Sequence, residues 1–221
     1  SPEGGRSRSP LQRVVKDRLY PLSHPVKAKP MQAYMKTAMP FLGIQKPLRE
    51  RFFRQLRREF SPQSRRQYEA GVRTLWALPH REEKYLAIDY AGGFPEFLSL
   101  ESLSLYERLI RDGAWWDLVD PTAIGVVGRV WLKEKQALGQ TMDSWIEDPD
   151  RWIRRSALIG QIGHKEATDE ARLFRYCQLQ AGEPEFFIRK AIGWALRDYS
   201  YTAPGAVWRF PGAAPTRAAI A

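Results

Sequence analysis

The sequence predicts an all-α protein built as a helical-repeat solenoid, and three observations predict it. From about Val14 the chain is a run of short segments with helical periodicity, punctuated by Pro and Gly, and strand-like alternation is scarce. The segments YLAIDYA, PTAIGVV, RSALIGQ and RKAIGWA align without gaps on Ala87, Ala123, Ala157 and Ala191, spaced 36, 34 and 34 residues apart. Each interval holds room for a second helix, and periods of this length belong to stacked helix pairs. A small residue followed by Ile or Leu suits helices that pack closely side by side. Chance is the weaker account of four such hits at near-constant spacing.

In chain order, residues 1–10 read as a polar, disordered tail, residues 11–210 as one repeat domain, and residues 211–221 as a weakly patterned C-terminal tail. Helices are expected over Met31–Thr37 and along Leu48, Phe52, Phe53, Leu56 and Phe60, an i, i+4 apolar stripe flanked by five arginines. Most of those arginines read as a solvated face, with some in reach of phosphate. Further helices are expected over Ser64–Ala77, Arg81–Tyr90, Leu103–Arg111, Thr122–Leu138, Trp152–Ile162, Asp169–Leu179 and Glu185–Tyr199.

Composition narrows the function classes. The 221 residues are 43% hydrophobic and 12% aromatic, enough for a substantial core. Lys and Arg number 35 against 25 Asp and Glu, a formal net charge of +10 that favours a polyanionic partner, nucleic acid or an anionic membrane surface. No apolar run approaches the roughly 18 residues needed to span a bilayer. The first ten residues hold no hydrophobic segment of a secretory signal, and the chain opens on Ser1 rather than Met, so a processed or trimmed start is expected. A lone cysteine, Cys177, precludes an internal disulfide and fits a reducing cytoplasm. With three scattered histidines, a zinc or iron–sulfur site is not expected, and no cofactor is called for.

The register suggests where charge and aromatic groups lie. Arg155 and Arg189 each stand two positions before an alanine marker, with Lys190 beside the second. Equivalent positions on stacked helices share a face, so these residues would form a basic stripe for phosphates, or else ordinary solvent-facing charges. Eight tryptophans are present, and most read as core. Trp116 and Asp120 stand four apart in GAWWDLVDPTA, one helical turn. Because Asp120 precedes Pro121, spacing alone makes it the N-cap of the next helix, with one carboxylate oxygen left free. Spacing alone also buries Trp194, three positions after Ala191.

The segments PMQAYMKTAMPFLGIQKP, LWALPHREEKYLAIDY, WWDLVD, RWIRRSALI and EFFIRKAIGWALRDYS carry a resemblance. Over about Pro30 to Trp208 the chain resembles the AlkD-like DNA glycosylases, the HEAT-like repeat family of DNA alkylation-repair enzymes. The resemblance implies a concave DNA-binding surface on which Trp116, Asp120 and Trp194 face the lesion, Arg155 contacts phosphate, and Tyr34 lies on the DNA-facing side. It further implies removal of cationic N3- and N7-alkylated purines, such as 3-methyladenine and 7-methylguanine, and of bulky adducts, from double-stranded DNA without flipping the base into a pocket. A cytoplasmic, or in a prokaryote nucleoid-associated, monomer with no membrane partner is expected. The chain departs from the family at its end, where AAPTRAAIA replaces a serine- and arginine-rich helix, so the final repeat is expected to be incomplete; the N-terminal helix also matches poorly. The competing class is a non-catalytic repeat scaffold that binds DNA or protein.

Overall fold

The computed structural model describes residues 8–211, and every regular element among them is helical. The N-terminal tail ends earlier than expected, because Ser9 already caps a helix. Its hydroxyl accepts from the Gln12 N–H at 3.3 Å, and the Gln12 side chain accepts from the Ser9 N–H at 2.9 Å. This capping box, with Pro10 in the first turn, opens α1 (Pro10–Val14), which runs into a π turn over Val15–Leu19. The expected C-terminal tail lies outside the described residues from position 212 on.

The chain forms two compact units that meet in sequence at Phe97 and Leu98. The first contains α1, α2 (Pro25–Met35), α3 (Lys46–Glu59), α4 (Arg65–Trp76) and α5 (Arg81–Gly92). Helices α4 and α5 pack as an antiparallel pair, joined by a short turn, over buried Tyr68, Val72, Leu75, Leu86 and Tyr90. Helix α2 has no buried residue and depends on its connections. The His24 N–H donates to the Leu42 carbonyl at 2.8 Å, and Gly43 takes φ +87° directly beside His24. A Cβ at Gly43 would fall 2.1 Å from the His24 carbonyl oxygen, so only glycine fits there. The loop behind is pinned by Glu82, fully buried, whose carboxylate accepts the N–H groups of Leu42, Gly43 and Ile44 at 2.7–2.9 Å.

The second unit contains α6 (Leu103–Gly113), α7 (Trp116–Thr122), α8 (Gly128–Lys133), α9 (Lys135–Trp145), α10 (Arg151–Ile159), α11 (Glu170–Leu179), α12 (Phe186–Ser200) and α13 (Pro204–Arg209). The single helix expected over Thr122–Leu138 is three pieces. Helix α7 begins before it, a π turn over Ala123–Val127 links α7 to α8, and Glu134 leaves helical geometry between α8 and α9. Pro121 sits inside α7, where its missing N–H and its ring disturb the regular ladder just ahead of the π turn. Helix α10 packs against α7 on one side and α12 on the other. The four marker alanines are at most 1% exposed, so the repeated small residue does mark packed helix faces. At Gly128 a Cβ would stand 2.5 Å from the Gly160 carbonyl oxygen, which shows how closely two of these segments approach.

Candidate active site

Three neighbouring helices of the second unit bring Asp120, Arg155 and Trp194 together. Helix α7 starts at Trp116 and carries Asp120 one turn later. Helix α10 is started by Asp150, whose carboxylate accepts the Trp152 N–H at 2.8 Å, and its inner face buries Trp152, Ile153, Ser156 and Ala157. Arg155 lies between α7 and α12. Its Nε–H and one Nη2–H donate to the two oxygens of Asp120 at 2.9 and 2.8 Å, and an Nη1–H donates to the Phe187 carbonyl at 2.7 Å.

This is a planar, two-point ion pair, the geometry in which guanidinium recognises carboxylate most strongly. Only 6% of the Arg155 side chain and 14% of the Asp120 side chain are exposed. The guanidinium carbon also stands 5.8 Å from the ring centres of both Phe187 and Trp194, within cation–π range. Phe187 in turn belongs to an aromatic cluster with Trp115 and Trp152, ring centres 4.8–5.9 Å apart. The forked donor therefore fixes the orientation of the carboxylate, and Phe187 ties Arg155 to the aromatic cluster.

Two readings from spacing are overturned here. Asp120 is not an N-cap: helix α7 is already under way at Trp116, and both Asp120 oxygens face Arg155. Trp194 is not core, since 40% of it is exposed. Its helix buries Ile188, Ala191, Ala195 and Tyr199, and that set turns Trp194 onto the flank. Trp116 is half-buried on the same helix as Asp120. Arg189 and Lys190 are exposed on α12, whereas Arg155 is almost fully buried, so the three do not present one uniform stripe to solvent. Tyr34, 72% exposed, belongs to α2 in the first unit.

Phe186 was not anticipated. It is 50% exposed, and the Lys190 ammonium stands 5.5 Å from its ring centre. Phe186, Lys190 and Trp194 follow the i, i+4, i+8 spacing of one helix face, a signal present in EFFIRKAIGW. A pocket of about 400 Å³ lies apart from this constellation, lined by residues including Trp131, Gln161, His164 and Arg172. Among the described residues no group of three or more His, Cys, Asp or Glu is placed to hold a metal ion, and no helix is long and apolar enough to cross a membrane.

Comparison with known proteins gives the family of the chain. A solved structure described as a predicted DNA alkylation repair enzyme from Enterococcus faecalis is 31% identical and superimposes with a TM-score of 0.80, over 86% of this chain and 88% of the other. A comparison with curated proteins found no match. The family model described as DNA alkylation repair enzyme matches residues 15–218, and the chain belongs to that family.

Proposed function

We propose that this protein is a DNA glycosylase that removes cationic N3- and N7-alkylated purines from duplex DNA, with Asp120 as the catalytic carboxylate. The observation that carries this reading is the Asp120 carboxylate, locked by Arg155 beside the exposed face of Trp194. An alkylated purine bears positive charge, so when its glycosidic bond breaks, the bonding electron pair neutralises the departing ring. No general acid is required. The sugar left behind has oxocarbenium character until water adds at C1′, and a fixed carboxylate nearby stabilises that charge without reorganising. Trp194 and Trp116 attract the cationic nucleotide through their indole faces.

Arg155 acts first as the positioning residue. Three of its five N–H groups are committed to Asp120 and to the Phe187 carbonyl, and with 6% of the side chain exposed any phosphate contact is secondary to that positioning role. Trp194 sits on a partly exposed helix face, which suits a lesion held against an open surface and tolerance of bulky adducts. Tyr34, Arg189 and Lys190 contribute further DNA contacts from exposed helix positions.

Duplex DNA containing 7-methylguanine tests the reading. Wild type is expected to release free base, and Asp120→Asn to lower the single-turnover rate by about 100- to 1,000-fold, the range for losing one electrostatic stabiliser, with duplex affinity nearly unchanged. Equal rates for the two proteins would remove Asp120 from the chemistry. Duplex binding by wild type without any base release would favour a non-catalytic repeat scaffold instead.

A further inference from the structure

The outer face of α3 is built against its own stability. The helix buries Phe52 and Leu56, and Arg49 on that side is paired with Asp89 at 3.0 Å beneath Tyr85. Its opposite face presents Arg51, Arg54 and Arg58, all exposed. At 100° per residue these three positions fall within about 60° of one another, along about 10 Å of helix axis. Each is three or four residues from the next, so their charges repel. None has an ion-pair partner among the described residues. The two acids on the helix are engaged elsewhere, Glu50 with Lys46 at 3.7 Å and Glu59 with Arg18 at 2.7 Å.

The second unit pairs a larger share of its arginines, although Arg108, Arg189, Arg197 and Arg209 are exposed there too. Its ion-paired arginines are Arg111, Arg151, Arg154, Arg155, Arg172 and Arg175. Charge is distributed just as unevenly along the chain. Residues 1–97 hold nineteen Lys and Arg against nine Asp and Glu, while residues 98–221 hold sixteen of each. The whole net charge of +10 therefore belongs to the first unit. A like-charged row whose nearest carboxylate, Glu50, is shared with Lys46 is stabilised by an external anion that is itself a row.

We infer that Arg51, Arg54 and Arg58 form a phosphate-tracking surface that binds the duplex backbone without regard to sequence or damage, and that the first unit supplies most of the salt-dependent affinity. The inference rests on the proposed function only in taking duplex DNA as the substrate; it does not depend on base excision. Duplex DNA fits a straight row of cations because its phosphates repeat along an axis and release condensed counterions on contact.

The test compares wild type with the triple variant Arg51→Gln, Arg54→Gln, Arg58→Gln on an undamaged duplex, by anisotropy titration between 50 and 200 mM salt. Each lost phosphate contact lowers the slope of log affinity against log salt by about 0.9, so a reduction of roughly 2 to 3 is expected. The melting temperature of the free variant is expected to stay level or rise, because the repulsion is gone. An unchanged salt slope overturns the inference, and so does an affinity loss accompanied by a lowered melting temperature. A third arm titrates phosphatidylserine vesicles at equal anion concentration; tighter binding there than to the duplex, abolished in the variant, would reassign the surface to membranes. Failure of the glycosylase reading would show separately, as absent base release by wild type with the salt slope intact.

Discussion

The two units treat charge in opposite ways. The first holds the whole excess of basic residues and leaves three arginines of α3 exposed and repelling one another. The second is neutral by count, and most of its central arginines are bound by carboxylates, down to the nearly buried Asp120–Arg155 pair. A cation meant to meet solvent-borne phosphate loses value if a local acid neutralises it. A carboxylate meant to stabilise a developing cation gains value if its position is fixed in a dry, aromatic setting. On the proposed function, capture and chemistry place contrary demands on the same residue types, and the uneven charge of the two units fits a separation of the two tasks along the chain.

The contrast breaks most visibly on removing an arginine from each unit. Arg155→Ala leaves the Asp120 carboxylate, with 14% of its side chain exposed, facing an empty donor site. A destabilisation of about 3 kcal/mol is expected, the low end for breaking a buried pair. Arg155→Lys keeps the charge but loses the fork, so it should recover part of the stability and little of the base release. Arg54→Gln in α3 should cost nothing or stabilise slightly. Chemical denaturation of the three proteins measures this directly, and similar small changes at both positions would erase the distinction between the units.

Close packing of the repeat offers a second, smaller contrast. Gly128→Ala places a methyl group 2.5 Å from the Gly160 carbonyl oxygen, between backbones that have little room to yield. A loss of about 1–3 kcal/mol is expected from such overpacking, with DNA affinity unaltered because the contact is buried. Gly125 gives the control: a Cβ there meets nothing within 4 Å, so Gly125→Ala should be neutral or mildly stabilising by the helix preference for alanine. If the two substitutions have the same effect on melting temperature, the close approach at Gly128 does not constrain the repeat.

What could be read in advance follows the same division between local and distributed signals. The repeat was legible because packed helix faces need small residues at fixed intervals, and Ala87, Ala123, Ala157 and Ala191 kept theirs. Helices α4, α5, α6, α11 and α12 fell within a few residues of expectation for the same reason. Helix α7 was hidden because its start, Trp115, has no side-chain acceptor to announce a cap, while Asp120 and Pro121 imitate one further on. Residue identities at the site came from family resemblance, not spacing. The ion pair joins residues thirty-five apart, and no local rule aims Arg155 at Asp120 rather than at solvent. The uneven charge, by contrast, is in plain view: counted separately, the two halves assign the whole basic excess to residues 1–97.

The smallest expected effect concerns pH and confines itself to the second unit. Burial lowers the pKa of His164 below its ordinary value, although its Nε2–H bond to the Gly128 carbonyl at 2.8 Å works in the other direction. The folded protein therefore keeps a neutral imidazole at a pH where the unfolded chain has already bound a proton. Stability from this group is complete above the unfolded value, about 6.5. It declines as pH falls through that value and levels off below the folded one, since the unfolded state binds more protons in between. His164→Gln retains a donor for Gly128 without the titration, so its stability between pH 7.5 and 5 should fall less steeply than that of wild type. Parallel curves would mean that the imidazole titrates alike in both states. Both proteins should keep the same dependence of duplex affinity on salt, because the proposed phosphate contacts are made by Arg and Lys side chains, which do not titrate in this range.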